Sequence, residues 1–169
     1  IILLCLVAAV TAVQAQVSFN VSYKRVNPTT IDIVFSGKAQ PGWHIYSTNI
    51  GEGGPTPASF KVDKIKGAKL KGALKAGPGA KTMQDPIFEM QVSFFEGSAT
   101  FTQRVELLDK DYQLDGYLKY GACNDENCLP PTSVEASLKG SDGPAPTAES
   151  KAEEEKAQAA LEAETTVAD

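Results

Sequence analysis

Cysteine and histidine are scarce in this chain of 169 residues, which contains three Cys and one His. Cys5 lies in an apolar N-terminal segment that we expect to be removed, which leaves Cys123, Cys128 and His44. A structural zinc site needs four protein ligands. A metal pair with His44 as third ligand is therefore the weaker interpretation, and we expect neither a metal nor a cofactor.

The sequence also lacks an apolar run long enough to cross a bilayer. The run from Ile1 to Val10 is too short, and Val13 and Ala15 fit the small-residue positions before a signal-peptidase cut. We expect residues 1–15 to be a partial signal peptide of an exported protein. The alternative is an N-terminal membrane anchor. Because there is no initiator Met and no basic start, we expect the extreme N-terminus to be missing.

The acidic balance of the chain belongs to its C-terminal end. Residues 140–169 hold eight acids and two bases, net −6, whereas the whole chain is −5, so residues 1–139 carry about +1. This segment has no aromatic residue and almost no apolar face. We expect an acidic low-complexity linker or tail that is disordered or marginally helical.

Lysines without arginine make the middle of the chain basic, from Lys61 to Lys81. A nucleic-acid surface would combine arginine and aromatic side chains with a strong positive charge, and this stretch has little of either. We therefore expect a solvated sheet edge and no nucleic-acid partner.

Period-two alternation of apolar and polar residues runs through residues 16–139, with no helical period of useful length. Val17 to Tyr23 and Ile31 to Phe35 are typical of half-buried strands. We expect Ala76 to Pro86 to be a long loop and Ile87 to Phe95 to be a strand. About eight short strands with frequent turn signals predict one all-β domain, an immunoglobulin-like antiparallel β-sandwich.

Cys123 and Cys128 flank the polar turn Asn124-Asp125-Glu126-Asn127 and are followed by Leu129-Pro130-Pro131. A disulfide closing so small a ring stabilises a fold by roughly 2 kcal/mol in the chain-entropy model, against nearly 5 kcal/mol for a loop of about 100 residues. The rigid proline exit would hold the second sulfur in a reproducible position, which directional thiol–disulfide exchange requires. The residues leave two alternatives open, a redox-active dithiol and a structural staple.

Four segments together resemble the N-terminal periplasmic domain of the thiol:disulfide interchange protein DsbD, in a form like that of Bacteroidetes-type bacteria. They are Gly42-Trp43-His44-Ile45-Tyr46-Ser47, Asp85-Pro86-Ile87-Phe88-Glu89, Phe94-Phe95-Glu96-Gly97 and Cys123 to Pro131. The resemblance covers about residues 17–139. This chain has one residue fewer between its cysteines than the familiar proteobacterial form.

The resemblance implies a periplasmic protein-disulfide reductase domain with an immunoglobulin-like fold. Cys128 would form mixed disulfides with partners and Cys123 would resolve them. A cap loop at roughly Ala80 to Asp85, with Met83 and Asp85, would shield the pair. His44 and Tyr46 would line the site, although ordinary core packing explains Tyr46 equally well.

The resemblance also implies partners. A thioredoxin-like domain or protein would donate electrons, and a periplasmic disulfide isomerase or a cytochrome c maturation thioredoxin would accept them. The acidic tail would lead towards a membrane domain beyond the end of this sequence. The competing interpretation is a non-catalytic exported binding module whose disulfide is structural.

Overall fold

Alternating apolar and polar residues form the strands that the sequence predicts, in a computed structural model that describes residues 15–167. The expected signal peptide therefore lies outside the described residues except for Ala15. Within them the chain forms twelve strands and one helix. The first six strands are β1 (Val17–Asn27), β2 (Thr30–Ala39), β3 (His44–Tyr46), β4 (Ser59–Lys66), β5 (Ala68–Leu70) and β6 (Lys75–Ala76). They are followed by β7 (Lys81–Gln84), β8 (Gln91–Glu96), β9 (Ser98–Leu107), β10 (Tyr112–Tyr120), β11 (Ala122–Cys123), β12 (Thr132–Gly140) and the helix α1 (Ala148–Val167).

Three antiparallel sheets make up the sandwich. One sheet has the order β1-β2-β9-β5, with β6 also paired to β9, and a second has the order β12-β10-β4. The third sheet, with the order β11-β3-β8-β7, carries the first cysteine at its edge. This all-β architecture confirms the predicted immunoglobulin-like fold class.

The hydrophobic core is built from the inward-facing residues of all three sheets. On β2 and β9, alternate positions such as Ile33, Phe35 and Phe101 are fully buried. On β10, Leu114 and Leu118 point into the same core. Apolar burial of this kind is worth about 25 cal/mol per Å² and is the main source of stability for such a domain.

The two faces of the third sheet pack in different clusters, because successive side chains on a strand point to opposite sides. Ile45, Phe95 and Ala122 stand directly opposite one another across β3, β8 and β11 and enter the main core. Their neighbours on the other face form a second, smaller cluster, which contains Tyr46, Val92, Phe94 and Cys123. The register of this sheet thus places the first cysteine on a face separate from the main core.

Two local predictions between residues 76 and 95 are wrong. The expected loop from Ala76 to Pro86 contains the strand β7, whose four residues pair with β8 from Lys81↔Phe94 to Gln84↔Gln91. The expected strand from Ile87 to Phe95 begins only at Gln91, because a tight turn occupies the residues before it. The alternation of Phe88 and Met90 with polar residues resembles a strand, but both side chains pack against the second cluster from within the turn.

The tail is more ordered than we expected, because α1 docks on the sheet edge through polar contacts. Glu154 Oε1 accepts a hydrogen bond of 2.8 Å from the Gly67 amide, and Gln158 donates to the Ile65 carbonyl. Lys69 Nζ lies 2.8 Å from Glu153 Oε1. These contacts satisfy edge groups that β4 and β5 leave unpaired, which a search for an apolar helix face does not reveal.

The docking site of α1 lies at the end of β4 remote from the cysteines. Ile65 pairs with Leu114 on β10, whereas Ser59 pairs with Lys119, close to the residues that lead into the cysteine hairpin. Leu161 is the helix side chain that packs against the main core. The polar contacts of α1 therefore lie at the Gly67 and Ile65 end of β4 and not at Ser59.

Replacing Leu161 by Asp should undock α1, because it removes the apolar contact and places a charge against the sheet. Because Leu161 is only partly buried, its apolar contact is worth about 1 kcal/mol, and its loss predicts a severalfold drop in hydrogen-exchange protection of the helix amides. The matched control is Ala159→Asp on the exposed side of the helix, which introduces the same residue. Equal loss of protection in both variants would show that the helix does not depend on this contact.

Candidate functional site

The two cysteines close a short hairpin that has its own hydrogen bonds. Cys123 and Cys128 form a disulfide. Asn124 Oδ1 accepts hydrogen bonds from the amides of Glu126 (3.0 Å) and Asn127 (2.6 Å), and the Asn124 amide donates to the Asn127 carbonyl (2.8 Å). The Leu129 amide donates to the Ala122 carbonyl at 2.9 Å, just outside the cysteine pair. The hairpin is therefore held by backbone and Asn side-chain bonds as well as by the disulfide.

The two sulfurs lie in different environments. Cys123, on β11, is 2% exposed and packs in the second cluster, whereas Cys128 is exposed. A disulfide is broken or formed by attack of a thiolate on one sulfur, so access decides which sulfur meets a partner. Only the Cys128 end of this pair is open to another protein.

His44 stands directly opposite Cys123 in the register of β3 and β11, and Tyr46 lies two residues further along the same face. Both side chains are buried, His44 with 5% and Tyr46 with 0% of its surface exposed. The His44 ring meets the rings of Tyr46 and Phe94 edge-on, with centroids 5.1 Å and 5.3 Å away. The packing fixes the imidazole beside the first cysteine.

A buried hydrogen-bond chain links His44, Tyr46 and Asp85. His44 Nε2 lies 3.0 Å from Tyr46 Oη, and Tyr46 Oη donates a short hydrogen bond to Asp85 Oδ2. Asp85 follows β7, is 1% exposed, and accepts amide hydrogen bonds on its other oxygen from Ile87 (2.8 Å) and Phe88 (3.0 Å). The chain connects the turn after β7 to the strand beside Cys123.

The turn from Asp85 to Met90 is tightly wound. The Glu89 amide donates to the Asp85 carbonyl at 2.9 Å, and the Asp85 amide donates to the Met90 carbonyl at 2.8 Å. Glu89 has a φ of 54°, in the left-handed region that a residue with a side chain adopts at some cost. Within this turn Ile87 is 41% exposed, so the turn presents an apolar side chain to solvent next to the site.

The environment shifts the ionisation of all three linked groups. Burial lowers the pKa of His44 and so favours the neutral imidazole, although the nearby carboxylates of Asp85, Asp125 and Glu96 act in the opposite direction. Burial and the hydrogen bond to Asp85 raise the pKa of Tyr46.

Burial acts to raise the pKa of Asp85, but hydrogen bonds from Tyr46 and from the Phe88 and Ile87 amides outweigh it and hold this pKa below its ordinary value. At neutral pH the hydrogen-bonded groups are therefore a neutral His44, a neutral Tyr46 and an ionised Asp85.

The six residues singled out from the sequence come together at one end of the sandwich. Cys123, His44 and Tyr46 share a sheet face, Met83 packs against the same cluster, and Asp85 bonds to Tyr46. The assignment of these residues to a site remains a prediction. The segment expected to be a loop, Ala80 to Asp85, is mostly strand β7, and the turn that follows it reaches the site instead.

Sequence reasoning missed the two apolar residues that pack with Cys123, Val92 and Phe94. It also missed the acidic groups near His44, because neither Asp125 nor Glu96 is close to it in sequence. The signal that could have identified Phe94 and Glu96 is the register of β3 against β8, which pairs Tyr46 with Phe94 and His44 with Glu96.

Within residues 15–167, no three His, Cys, Asp or Glu side chains form a group placed to hold a metal ion. The single helix, α1, is not apolar enough to cross a membrane.

Comparison with known proteins identifies one family. The sequence profile described as the N-terminal domain of the thiol:disulfide interchange protein DsbD matches residues 9–139, more than three-quarters of the chain. A search of curated proteins gives no significant match.

Among solved structures, the N-terminal periplasmic domain of ScsB from Proteus mirabilis superposes with a TM-score of 0.54 at 16% identity, over 86% of this chain and 54% of that one. This chain thus spans about half the length of that structure. The reduced N-terminal domain of DsbD from Neisseria meningitidis is also similar, with a TM-score of 0.43 at 16% identity, over 73% of this chain and 86% of that one. At this identity the ScsB structure supports the fold alone.

Replacing Asp85 by Asn should destabilise the fold by about 1–3 kcal/mol at pH 7, because a charged acceptor of three hydrogen bonds is lost. A carboxylate whose pKa is lowered by folding stabilises the protein above the unfolded pKa of about 3.9, and this contribution disappears as pH falls through the folded value. Urea unfolding measured from pH 7 to pH 3 should therefore show that the difference in free energy of unfolding between Asp85→Asn and the unmodified protein becomes smaller as the pH falls. Asp125→Asn, at an exposed position, is the control, and a difference independent of pH would contradict the linkage.

Proposed function

Because this chain belongs to the family of the N-terminal domain of the thiol:disulfide interchange protein DsbD, we propose that it is a protein-disulfide reductase domain working through Cys123 and Cys128. The observation that carries the proposal is the unequal exposure of the two sulfurs, Cys128 open to solvent and Cys123 buried. An exchange reaction needs one sulfur that is accessible to the partner and forms the mixed disulfide, and a second sulfur close enough to attack that bond.

The reaction follows from that arrangement. The reduced Cys128, as thiolate, attacks a disulfide of an oxidised partner and forms a mixed disulfide. Cys123 then attacks Cys128, the partner leaves as a dithiol, and the Cys123–Cys128 disulfide remains. A reducing partner reverses these steps and reduces the Cys123–Cys128 disulfide back to two thiols. No metal or organic cofactor takes part.

The surroundings of Cys128 suit a docked protein partner. Asp125 and Glu126 lie between the cysteines, and negative neighbours disfavour a second negative charge. Cys128 is followed directly by the apolar and rigid Leu129-Pro130, and Ile87 is an exposed apolar residue of the turn that contains Asp85. Exposed apolar residues of this kind suit contact with a protein surface that excludes water when it binds.

We infer partners of thioredoxin-like type. A thioredoxin-like domain or protein supplies electrons, and an exported disulfide isomerase or a cytochrome c maturation thioredoxin accepts them. The periplasm is the compartment that fits an exported domain with one reversible disulfide. We propose that residues 16–139 are the redox domain and residues 1–15 a partial signal peptide. Residues 140–169, which include the docked helix α1, would be an acidic linker or tail that leads towards a membrane domain.

The competing role is a binding module with a stapling disulfide. The hydrogen bonds of the hairpin weigh against it, because Asn124 and the backbone bonds hold the turn without the covalent link. A ring this small adds only about 2 kcal/mol in the chain-entropy model. Reduction should therefore leave the hairpin in place.

Trapping tests the assignment of the two cysteines. In a chain that begins at Gln16 and so lacks Cys5, Cys123→Ser should accumulate mixed disulfides with an oxidised thioredoxin-like protein, seen by non-reducing electrophoresis and mass spectrometry. Cys128→Ser, the matched control, should trap at least tenfold less because Cys123 is buried. Equal trapping by both variants would contradict the assigned roles.

Equilibration with glutathione tests whether the pair is reversible. We expect a reduction potential well above about −300 mV, with the circular dichroism spectrum preserved in both redox states. A much lower potential accompanied by unfolding on reduction would establish a structural disulfide and favour the binding module.

A further inference from the structure

The exchange reaction requires Cys123 to lose a proton in a place that does not favour a thiolate. Its side chain is 2% exposed and packs with Tyr46, Val92 and Phe94. An ordinary thiol has a pKa of about 8.5, and apolar surroundings disfavour its ionised form. The attack of Cys123 on Cys128 would be slow at neutral pH unless a neighbouring group takes the proton.

His44 is the titratable side chain placed opposite Cys123 in the sheet register. Directly opposed residues on one face of an antiparallel pair have Cβ atoms roughly 4.5–5.5 Å apart. The imidazole is held in place by edge contacts with Tyr46 and Phe94. The geometry therefore puts one proton acceptor beside the buried thiol.

The hydrogen-bond chain decides which nitrogen of His44 can act. Tyr46 has one hydroxyl proton and donates it to Asp85 Oδ2, so its oxygen must accept from His44 Nε2 at 3.0 Å. The proton of the neutral ring is thus on Nε2, which leaves Nδ1 with a free lone pair. Asp85 is kept as the final acceptor of the chain by the two amides on its other oxygen.

Charges around His44 are arranged to tolerate an imidazolium once it forms. The carboxylates that act on His44 come from Asp85 in the turn after β7, Asp125 in the cysteine hairpin and Glu96 on β8. Lys81 on β7 lies 2.6 Å from Glu96 and offsets that carboxylate in part. Burial keeps the ring neutral at rest, while these acids stabilise the charged ring in the reaction.

We propose that His44 accepts the proton of Cys123 during resolution of the mixed disulfide, a role that rests on the proposed function. The thiol proton of Cys123 passes to Nδ1 of His44 as the Cys123 sulfur bonds to the Cys128 sulfur. The bond between Cys128 and the partner sulfur breaks, and the partner leaves as a thiolate with the electron pair. The two cysteines are oxidised together and the partner disulfide is reduced. When the domain is recharged, His44 returns the proton to Cys123.

Glutathione disulfide separates the two chemical steps. The reduced protein, beginning at Gln16, is mixed with this probe, quenched with acid at set times and analysed by mass spectrometry for the glutathionylated and oxidised forms. The first step reports the attack by Cys128 and the second the attack by Cys123. His44→Gln keeps an amide that can donate to Tyr46 but has no titratable nitrogen.

For His44→Gln at pH 7 we expect the first step within about twofold of the unmodified protein and the second step about a hundredfold slower, the lower range for loss of a general base. The deficit should shrink between pH 7 and pH 10, because the thiolate then forms without a base. An equal deficit at every pH, or equal slowing of both steps, would show a structural role and overturn the proposal. An unchanged second step would also overturn it.

Two controls keep the result interpretable. Tyr46→Phe retains the size of the ring and removes the bond that fixes the proton on Nε2, so it should slow the second step less than His44→Gln does. Cys123→Ser should stop at the glutathionylated form. Absence of any glutathionylated form in this variant would contradict the proposed function itself, which distinguishes that failure from a failure of the role of His44.

Discussion

The hydrogen bond between Tyr46 and Asp85 is the contact on which the site depends, because it joins two segments that lie on opposite sides of β8. Tyr46 belongs to β3, beside the first cysteine, and Asp85 begins the turn after β7. Both groups are almost fully buried, so neither can exchange this bond for water without leaving the other unsatisfied. The bond therefore couples the position of the turn to the strand that pairs with Cys123.

Strand register explains how the first cysteine and part of the hydrophobic core can share one sheet. Residues 44, 46 and 123 share one face, while residues 45, 95 and 122 face the core. Moving β3 by one residue would exchange the two faces, placing His44 in the main core and Ile45 on the face of the second cluster. Packing of Ile45 and Phe95 thus secures the placement of the polar residues on the other side.

The sequence predicts most of the strands because apolar alternation reports directly which face is buried, as in Ile31, Ile33 and Phe35. It fails at Lys81–Gln84, where the side chains are mainly exposed and the strand exists through its backbone bonds to β8. It fails again at the tail, where α1 is docked by Glu154 and Gln158 on backbone groups of the sheet edge. Neither contact leaves a periodic signal.

For the site, the sequence identifies the cysteine hairpin and the His44–Tyr46 strand because both are local in the chain. The link from Tyr46 to Asp85 spans 39 residues and depends on the path of β7 and β8, which no local pattern specifies. The family resemblance points to both segments, but the proton positions along His44, Tyr46 and Asp85 follow only from the geometry of the hydrogen bonds.

The two halves of the site have different physical tasks. The hairpin around Asn124 is held by its own hydrogen bonds, so in the proposed reaction Cys128 would alternate between disulfide, thiol and mixed disulfide at the surface. The sheet face around Cys123 is buried, which would limit access of other reagents to its reduced thiol but would also disfavour the thiolate. If Cys123 reacts as proposed, its buried thiol needs a buried proton acceptor beside it. That proposed role would account for a histidine, a tyrosine and a carboxylate linked in the apolar interior, where isolated polar groups would otherwise be costly.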